Sequence, residues 1–258
     1  SIVNNKLNED DINEIDKNTT ELLNTKYSFY YNFTRKGFHS IRIEFKKRLF
    51  SCQNLFLNCD KITGIDLSNF DCSQVSSCMG MFSGCTSVKS IEFGKLDFAL
   101  VTNFKCMFYN CQNLKEVNLF HFNTKNALTF ESMFSRCFNL KNLDVSNFNS
   151  SKCQKITNMF SLCQNITEID LIKWNMHNIS GYQGISELFY GCKNLKKIKM
   201  SSNFKDLGGL LKDTWGEDLC KKDIFTGIPE EGLFVYKKVV KIDLLLNELP
   251  KNWIMEEE

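Results

Sequence analysis

The sequence has little arginine and little net charge. Only four of its 32 basic residues are arginine, at positions 35, 42, 48 and 136, and the formal net charge is +2. The planar guanidinium group is the side chain best suited to reading phosphate and guanine. A weak charge balance built mostly from lysine therefore argues against a nucleic acid or an anionic membrane surface as the partner.

Several other features are absent. No run of 18 apolar residues occurs, so no segment is expected to span a bilayer. No Cys-x-x-Cys pair occurs, and His39, His121 and His177 lie far apart in the sequence, which disfavours zinc and a Cys-His catalytic pair. Gly208-Gly209 is not followed by the lysine and hydroxyl of a phosphate-binding loop. We expect no catalytic, cofactor-binding or metal-binding residues; an enzyme would need an undetected site in the C-terminal region.

The N-terminal segment, residues 1–26, is rich in Asn, Asp and Glu and has no apolar core of the kind found in signal peptides. The cysteines show no spacing typical of a disulfide framework, which favours a compartment where thiols stay reduced. We therefore expect a cytoplasmic protein. A cell-surface or secreted location stays open if an export signal precedes Ser1.

Cysteine and phenylalanine are abundant, with 12 and 23 residues. A Met/Leu-Phe-x-x-Cys motif occurs six times, and the first five of its cysteines follow one another at intervals of 26 residues, the sixth after 29. These six, called the thiol ladder below, are Cys59, Cys85, Cys111, Cys137, Cys163 and Cys192. Equal spacing over this length identifies a structural repeat.

Each repeat contains two apolar patterns. An apolar-x-apolar triplet such as Ile65-Asp66-Leu67 predicts a short strand with one buried face. Later in the unit Val75, Cys78 and Phe82 follow i, i+3, i+7 spacing, which predicts a short helix. One unit cannot bury its apolar face alone, but stacked units bury a shared one. The predicted fold is an α/β solenoid, with a parallel sheet on one face and short helices or turns on the other.

The units "MFSGCTSVKSIEF" and "LFLNCDKITGIDLSNFDCSQV" resemble the BspA-like leucine-rich repeats. The resemblance covers roughly residues 50–204 and includes both the Phe-x-x-Cys and the Ile-Asp-Leu-Ser-x-Phe patterns. It implies a leucine-rich-repeat solenoid that acts in protein recognition or adhesion, without a catalytic motif.

The ends of a solenoid need caps, because they would otherwise expose the core. We expect a flexible arm over 1–26, an N-terminal cap over 27–54, a solenoid of about six units over 55–204 and a C-terminal cap over 205–258. Within the caps the patterns predict strands at 41–45 and 232–236, helices at 207–215 and 242–249, and an apolar plug at 253–255.

The thiol ladder should stack at roughly the 5 Å spacing of neighbouring strands. That distance permits disulfides, but side chains of stacked units point the same way and not toward each other. Buried thiols also pack well as small apolar groups. We therefore predict that the ladder cysteines are buried and reduced.

The outward positions of the predicted strands form an acidic strip whose last unit turns basic at Lys197 and Lys199. We predict that this strip binds a protein, with a basic protein as a candidate, and that two apolar residues are exposed on it. The candidate partner-binding residues are Asp66, Glu92, Glu116, Asn118, Phe120, Asp144, Glu168, Asp170 and Ile172. The functions to be weighed are an intracellular recognition or scaffold module and a cell-surface adhesion module. The alternative for the strip itself is a solvated sheet face.

Overall fold

The computed structural model describes residues 48–179, 182–200, 227–229, 231–236 and 252–257, and the single positions 37, 40, 43 and 45. Nearly all of its regular structure is β-strand. In chain order the strands are β1 (Gly64–Asp66), β2 (Ser90–Glu92), β3 (Glu168–Leu171), β4 (Lys197–Met200), β5 (Glu231–Tyr236) and β6 (Asn252–Glu257). The one helix among the described residues is a 3-10 turn at Tyr182–Gly184. It is too short to cross a membrane, and no other candidate span occurs in that part of the chain.

All strand pairing is parallel, in one sheet of β1-β2 and another of β3-β4-β5-β6. Equivalent positions of neighbouring repeats face each other: Ile65 lies opposite Ile91, and Ile169 opposite Ile198. The register of β3 and β4 is kept although their units are 29 residues apart. The three extra residues are therefore accommodated elsewhere in that unit, and successive units stack in register.

Strand pairing is incomplete between the two sheets. Across residues 93–167, all of them described, the strand positions are joined only by a single parallel bridge between Glu116 and Asn142. The strands predicted at 117–119 and 143–145 are thus extended segments without regular pairing. The sheet face of the stack is open in its middle.

The predicted short helices are wrong: these segments are chains of overlapping turns. In the first unit the N–H groups of Leu55 and Leu57 donate to the carbonyl three residues earlier, at 3.2 and 3.1 Å. Phe56, between them, donates instead to Met81 of the next unit at 2.8 Å. An α-helix needs every N–H for its own segment. Here alternate N–H groups are used between units, so a helix cannot form.

Left-handed backbone conformations reinforce this geometry. Asn54 has a φ of 59°, and the equivalent residue of every described unit is also left-handed. These equivalents are Gly80, Cys106, Ser132, Asn158 and Glu187. A positive φ interrupts a right-handed helix. The prediction that this stripe of residues faces inward is nevertheless confirmed, since Val75, Cys78 and Phe82 are all fully buried. Turns of three residues bury nearly the same positions as a helix of 3.6 residues per turn.

The core is organised around one column of phenylalanines, one from each unit. They are Phe56, Phe82, Phe108, Phe134, Phe160 and Phe189, with near-parallel rings. Phe134 stacks between Phe108 and Phe160 at centroid distances of 5.3 and 6.1 Å, as the repeat register predicts. Each of the four inner rings packs against the same residue type above and below.

The C-terminal region continues the second sheet. The strand predicted at 232–236 is confirmed as part of β5. The segment predicted as an apolar plug at 253–255 lies in β6, but only Trp253 is buried; the prediction is wrong for Ile254 and Met255, which are 68% and 53% exposed. The indole of Trp253 is buried and donates to the Pro229 carbonyl at 2.9 Å. A side chain at Gly232 would come within 2.4 Å of that indole, so this position requires glycine. The predicted arm at 1–26 and the helices at 207–215 and 242–249 lie outside the described residues, as does most of the predicted strand at 41–45.

Candidate functional site

The thiol ladder is a structural feature with its own hydrogen bonds. Each thiol from the second unit onward donates to the carbonyl of the core phenylalanine one unit earlier, at 3.0–3.2 Å. The donors are Cys85, Cys111, Cys137, Cys163 and Cys192, all buried. Cys59, in the first unit, is only partly buried. The predicted burial is thus confirmed for five ladder cysteines and wrong for Cys59, and every described cysteine is a free thiol.

These thiols are poor candidates for chemistry. Burial raises the pKa of Cys85, Cys137 and Cys192 to about 12. A nucleophile or metal ligand must be a thiolate, which such a pKa disfavours at neutral pH. Within the described part of the chain, no group of three His, Cys, Asp or Glu side chains is placed to hold a metal ion. Each of these thiols adds a second hydrogen bond to a carbonyl that already accepts the backbone N–H three residues later, and the sequence did not reveal this contact between units.

The outward column of Asp and Asn has a structural task that explains its recurrence. In Asp66, Asn118, Asp144 and Asp170 the side-chain Oδ1 accepts the N–H of the residue two positions later, at 2.9–3.0 Å. In these four units the turn follows the strand or the extended segment. In Asp144 the hydroxyl and the N–H of Ser146 also hold the pKa of the carboxyl below its usual value. Repetition of these acids is therefore not evidence of binding by itself.

Glu92 is the exception in this column. Its unit turns at Gly94, which has a φ of 59°. A side chain at Gly94 would come within 2.8 Å of the Ser68 backbone, so glycine is required there. Because glycine makes the turn, the Glu92 carboxylate is not used for it. The Glu92 side chain is exposed, and its carboxylate accepts no hydrogen bond from the described residues, whereas its backbone carbonyl accepts the Leu67 N–H at 2.7 Å.

A groove of about 700 Å³ runs across the outward faces of four consecutive units, at the opening in the sheet. Six of the nine predicted residues line it: Glu92, Glu116, Asn118, Asp144, Glu168 and Asp170. Ser90, Asn142 and Ser146 also line it; they are outward positions of the predicted strip but are not among the predicted partner-binding residues. The sequence analysis missed Lys89, Lys141 and Thr167. A signal for these three existed, since Lys89, Lys141 and Thr167 occupy equivalent positions of their repeats.

The floor of the groove is apolar. Val117 and Leu143 are 8% and 9% exposed, whereas Ile169 in the regular strand β3 is 0% exposed. Ile91 also lines the groove and is 4% exposed. The difference follows from the missing strand pairing, because unpaired neighbours leave gaps through which core side chains reach the surface. The groove thus has an apolar floor between acidic walls.

The acidic walls differ in charge compensation. Lys197 Nζ lies 3.4 Å from Glu168 Oε1, and Lys199 Nζ lies 3.2 Å from Asp170 Oδ2. The two lysines that were predicted to make the last unit of the strip basic therefore neutralise the acidic residues of the neighbouring unit. Glu92, Glu116 and Asp144 form no ion pair with any described residue.

Three predicted residues lie outside the groove. Asp66 is on β1, one unit before it. Phe120 is 68% exposed, as predicted, with its ring edge-on to His121 at 5.1 Å. The predicted exposure of Ile172 is wrong, since this side chain is 8% exposed. β3 ends at Leu171, so the in-out alternation of a strand does not decide where Ile172 lies.

Comparison with known families gives one match. Residues 50–174 and 139–207 match the model described as "Mycoplasma protein of unknown function, DUF285". The two matches overlap, as a repeat matched in two registers would, and together they cover more than half of the chain. The chain belongs to this family. No curated protein and no solved structure matches it. The matched residues include all four units of the groove.

Proposed function

We propose that this chain is a non-catalytic protein-recognition module, a leucine-rich-repeat solenoid that binds a partner protein along its sheet face. The observation that carries the proposal is the groove: it crosses four units and combines an apolar floor with acidic walls. Concave strips across successive repeats are the usual binding surfaces of solenoids. The in-register pairing of equivalent repeat positions supports the solenoid architecture.

The shape of the groove favours a polypeptide over a small molecule. Sites for small ligands are mostly enclosed and bury most of the ligand's surface. This groove is open along its length and is lined by Lys89 at one end and Asp170 at the other, three units apart. A polypeptide can contact several units at once, so small contributions from each unit add up.

Site-specific photo-crosslinking tests this proposal. A photoreactive phenylalanine analogue replaces Asn142, which is exposed in the middle of the groove, in cells of the native organism. The matched control places the same analogue at Arg136, which is exposed on the opposite, turn-forming part of its unit. We expect a defined adduct from position 142 and none from position 136.

The crosslinked partner is then purified, and its affinity is measured by calorimetry for Asn142→Trp and for the control Arg136→Trp. An indole filling the groove should weaken binding by roughly tenfold or more, the scale of a lost hot-spot contact, while the control should not. Equal affinity of both variants for the partner would contradict the proposed function.

A further inference from the structure

The groove has two electrostatically different halves, and the difference indicates what it binds. In the half formed by the units of Glu92, Glu116 and Asp144, no carboxylate is paired with a lysine of the described residues. In the other half, Lys197 and Lys199 compensate Glu168 and Asp170. Adjacent like charges about 5 Å apart repel each other, and a cationic ligand relieves that repulsion. The half without ion pairs therefore favours positive charge, chiefly at Glu92 and Glu116, because, beside the hydrogen bonds from Ser146, Lys173 already contributes to lowering the pKa of the Asp144 carboxyl.

The apolar floor indicates which kind of cationic group fits this half of the groove. Ile91, Val117 and Leu143 reach the surface between the carboxylates of that same half. Lysine and arginine side chains carry an aliphatic stem below a charged head, and they bury the stem on apolar surface while the head stays polar. Such a side chain matches both the floor and the walls, whereas a bare cation would use the walls alone.

The spacing of the units sets the length of the ligand. Two unit steps separate Glu92 from Asp144, which is about 10 Å at the spacing of neighbouring strands. An extended chain advances about 3.3 Å per residue, so side chains at i and i+2 lie about 6.6 Å apart and both fit within this distance. Its side chains at i and i+2 point the same way. Lys89 and Lys141 on the groove limit how much more positive charge is tolerated.

We propose that the groove receives an extended segment of the partner protein in which two basic residues are separated by one other residue. Their heads pair with Glu92, Glu116 and Asp144, and their stems cover the apolar floor. The inference rests on the proposed recognition function and adds the class of segment that is recognised. Glu168 and Asp170 do not take part, since their charges are already paired.

Fluorescence anisotropy with short labelled peptides tests the inference on the full chain. The probe is Gly-Lys-Ala-Lys-Gly, and the controls replace both lysines with glutamine or with glutamate. Two double variants change the net charge equally: Glu92→Gln with Glu116→Gln, and Glu168→Gln with Asp170→Asn. The asparagine in the second variant keeps the Oδ1 acceptor of the turn after β3.

We expect the lysine peptide to bind with an affinity that falls as salt is added. The first double variant should weaken it by roughly tenfold and flatten the salt dependence, as for the loss of direct charge contacts. The second should change the affinity by less than about twofold, because surface charges that are already paired contribute little. Equal effects of the two variants, or equal affinity of the lysine and glutamine peptides, would overturn the inference.

The crosslinked partner separates this inference from the proposed function. If the partner's affinity falls with Asn142→Trp but not with Glu92→Gln and Glu116→Gln, recognition through the groove stands and the basic segment is refuted. If the affinity falls with both, the inference is supported. If Asn142→Trp leaves it unchanged, the proposed function itself fails.

Discussion

The two sides of the stack hold their units together in different ways. On the side formed by the overlapping turns, parallel bridges run without a break from Ser77 through Asn103 and Thr129 to Lys155. On the strand side, pairing stops after β2 and becomes regular again only at β3. The side with no recognisable secondary structure is thus the continuous one. The side that contains the strands is the one that opens into a groove.

The turn side combines three interactions in each inner unit. Alternate N–H groups bond to the next unit, the ladder thiol bonds to the previous one, and the core phenylalanine stacks on both. With so many bonds on one side, the strand side can lose pairing without the units separating. This division leaves the strand side free to carry a binding surface.

The largest predicted effect is on the turn side. Phe134→Ala should lower the free energy of unfolding by about 3–5 kcal/mol, the usual range for a deleted core aromatic, because both neighbouring rings lose their contact. Urea denaturation followed by circular dichroism measures it. The control is Phe120→Ala on the strand side, where the exposed ring should cost less than about 0.5 kcal/mol. A similar loss of unfolding free energy in the two variants would contradict the conclusion that the turn side stabilises the stack more than the strand side does.

The second prediction concerns alkaline pH. The pKa of Cys137 is raised to about 12 by burial, from an ordinary value of 9.0. Between these values the unfolded chain loses the thiol proton and the folded chain keeps it. The stability that the protonated Cys137 thiol contributes is therefore fully present below pH 9. It falls as pH rises toward 12, by about 1.4 kcal/mol of unfolding free energy per pH unit.

Urea midpoints measured from pH 8 to pH 10.5 test this, with Cys137→Ala as the comparison. The variant starts from lower stability, and its decline above pH 9 should be shallower by the contribution of one thiol. Parallel declines for the two proteins would mean that the Cys137 thiol ionises as readily in the folded chain as in the unfolded one.

The third prediction concerns the turn that ends each strand. Asp144→Ala removes the acceptor of the Ser146 N–H and should cost about 1 kcal/mol, the usual net value of a hydrogen bond. Asp144→Asn keeps an Oδ1 acceptor and should cost clearly less. Thermal unfolding of both variants gives the comparison. If Asn is as damaging as Ala, the negative charge and not the turn determines the residue type in this column.

The smallest predicted effect is at the compensated end of the groove. Glu168→Gln breaks the ion pair with Lys197. The Glu168 side chain is 47% exposed and the Lys197 side chain 34%. Exposed pairs contribute about 0.2–1 kcal/mol, so the unfolding free energy should fall by no more than this. A loss of several kcal/mol on chemical denaturation would show that the strand side contributes to stability as much as the turn side does.

Much of the architecture could be predicted from particular residues. The spacing of the ladder cysteines gave the repeat, and the triplet around Ile65 gave both the first strand and its register with Ile91. All five acidic residues of the groove were also predicted, because in-out alternation holds as long as the chain stays extended. It failed at Ile172, which lies past the end of β3.

The sequence by itself determined the repeat length, the buried positions and their register, because these depend on the order of apolar residues along the chain. Only the tertiary structure decided between helix and turns, since the Phe56 N–H has its acceptor in the next unit, at Met81. The position of the groove was also decided by the tertiary structure, since it depends on where strand pairing between units is lost. A pattern within one unit shows which side chains point inward, but hydrogen bonds between units are fixed only when the units stack.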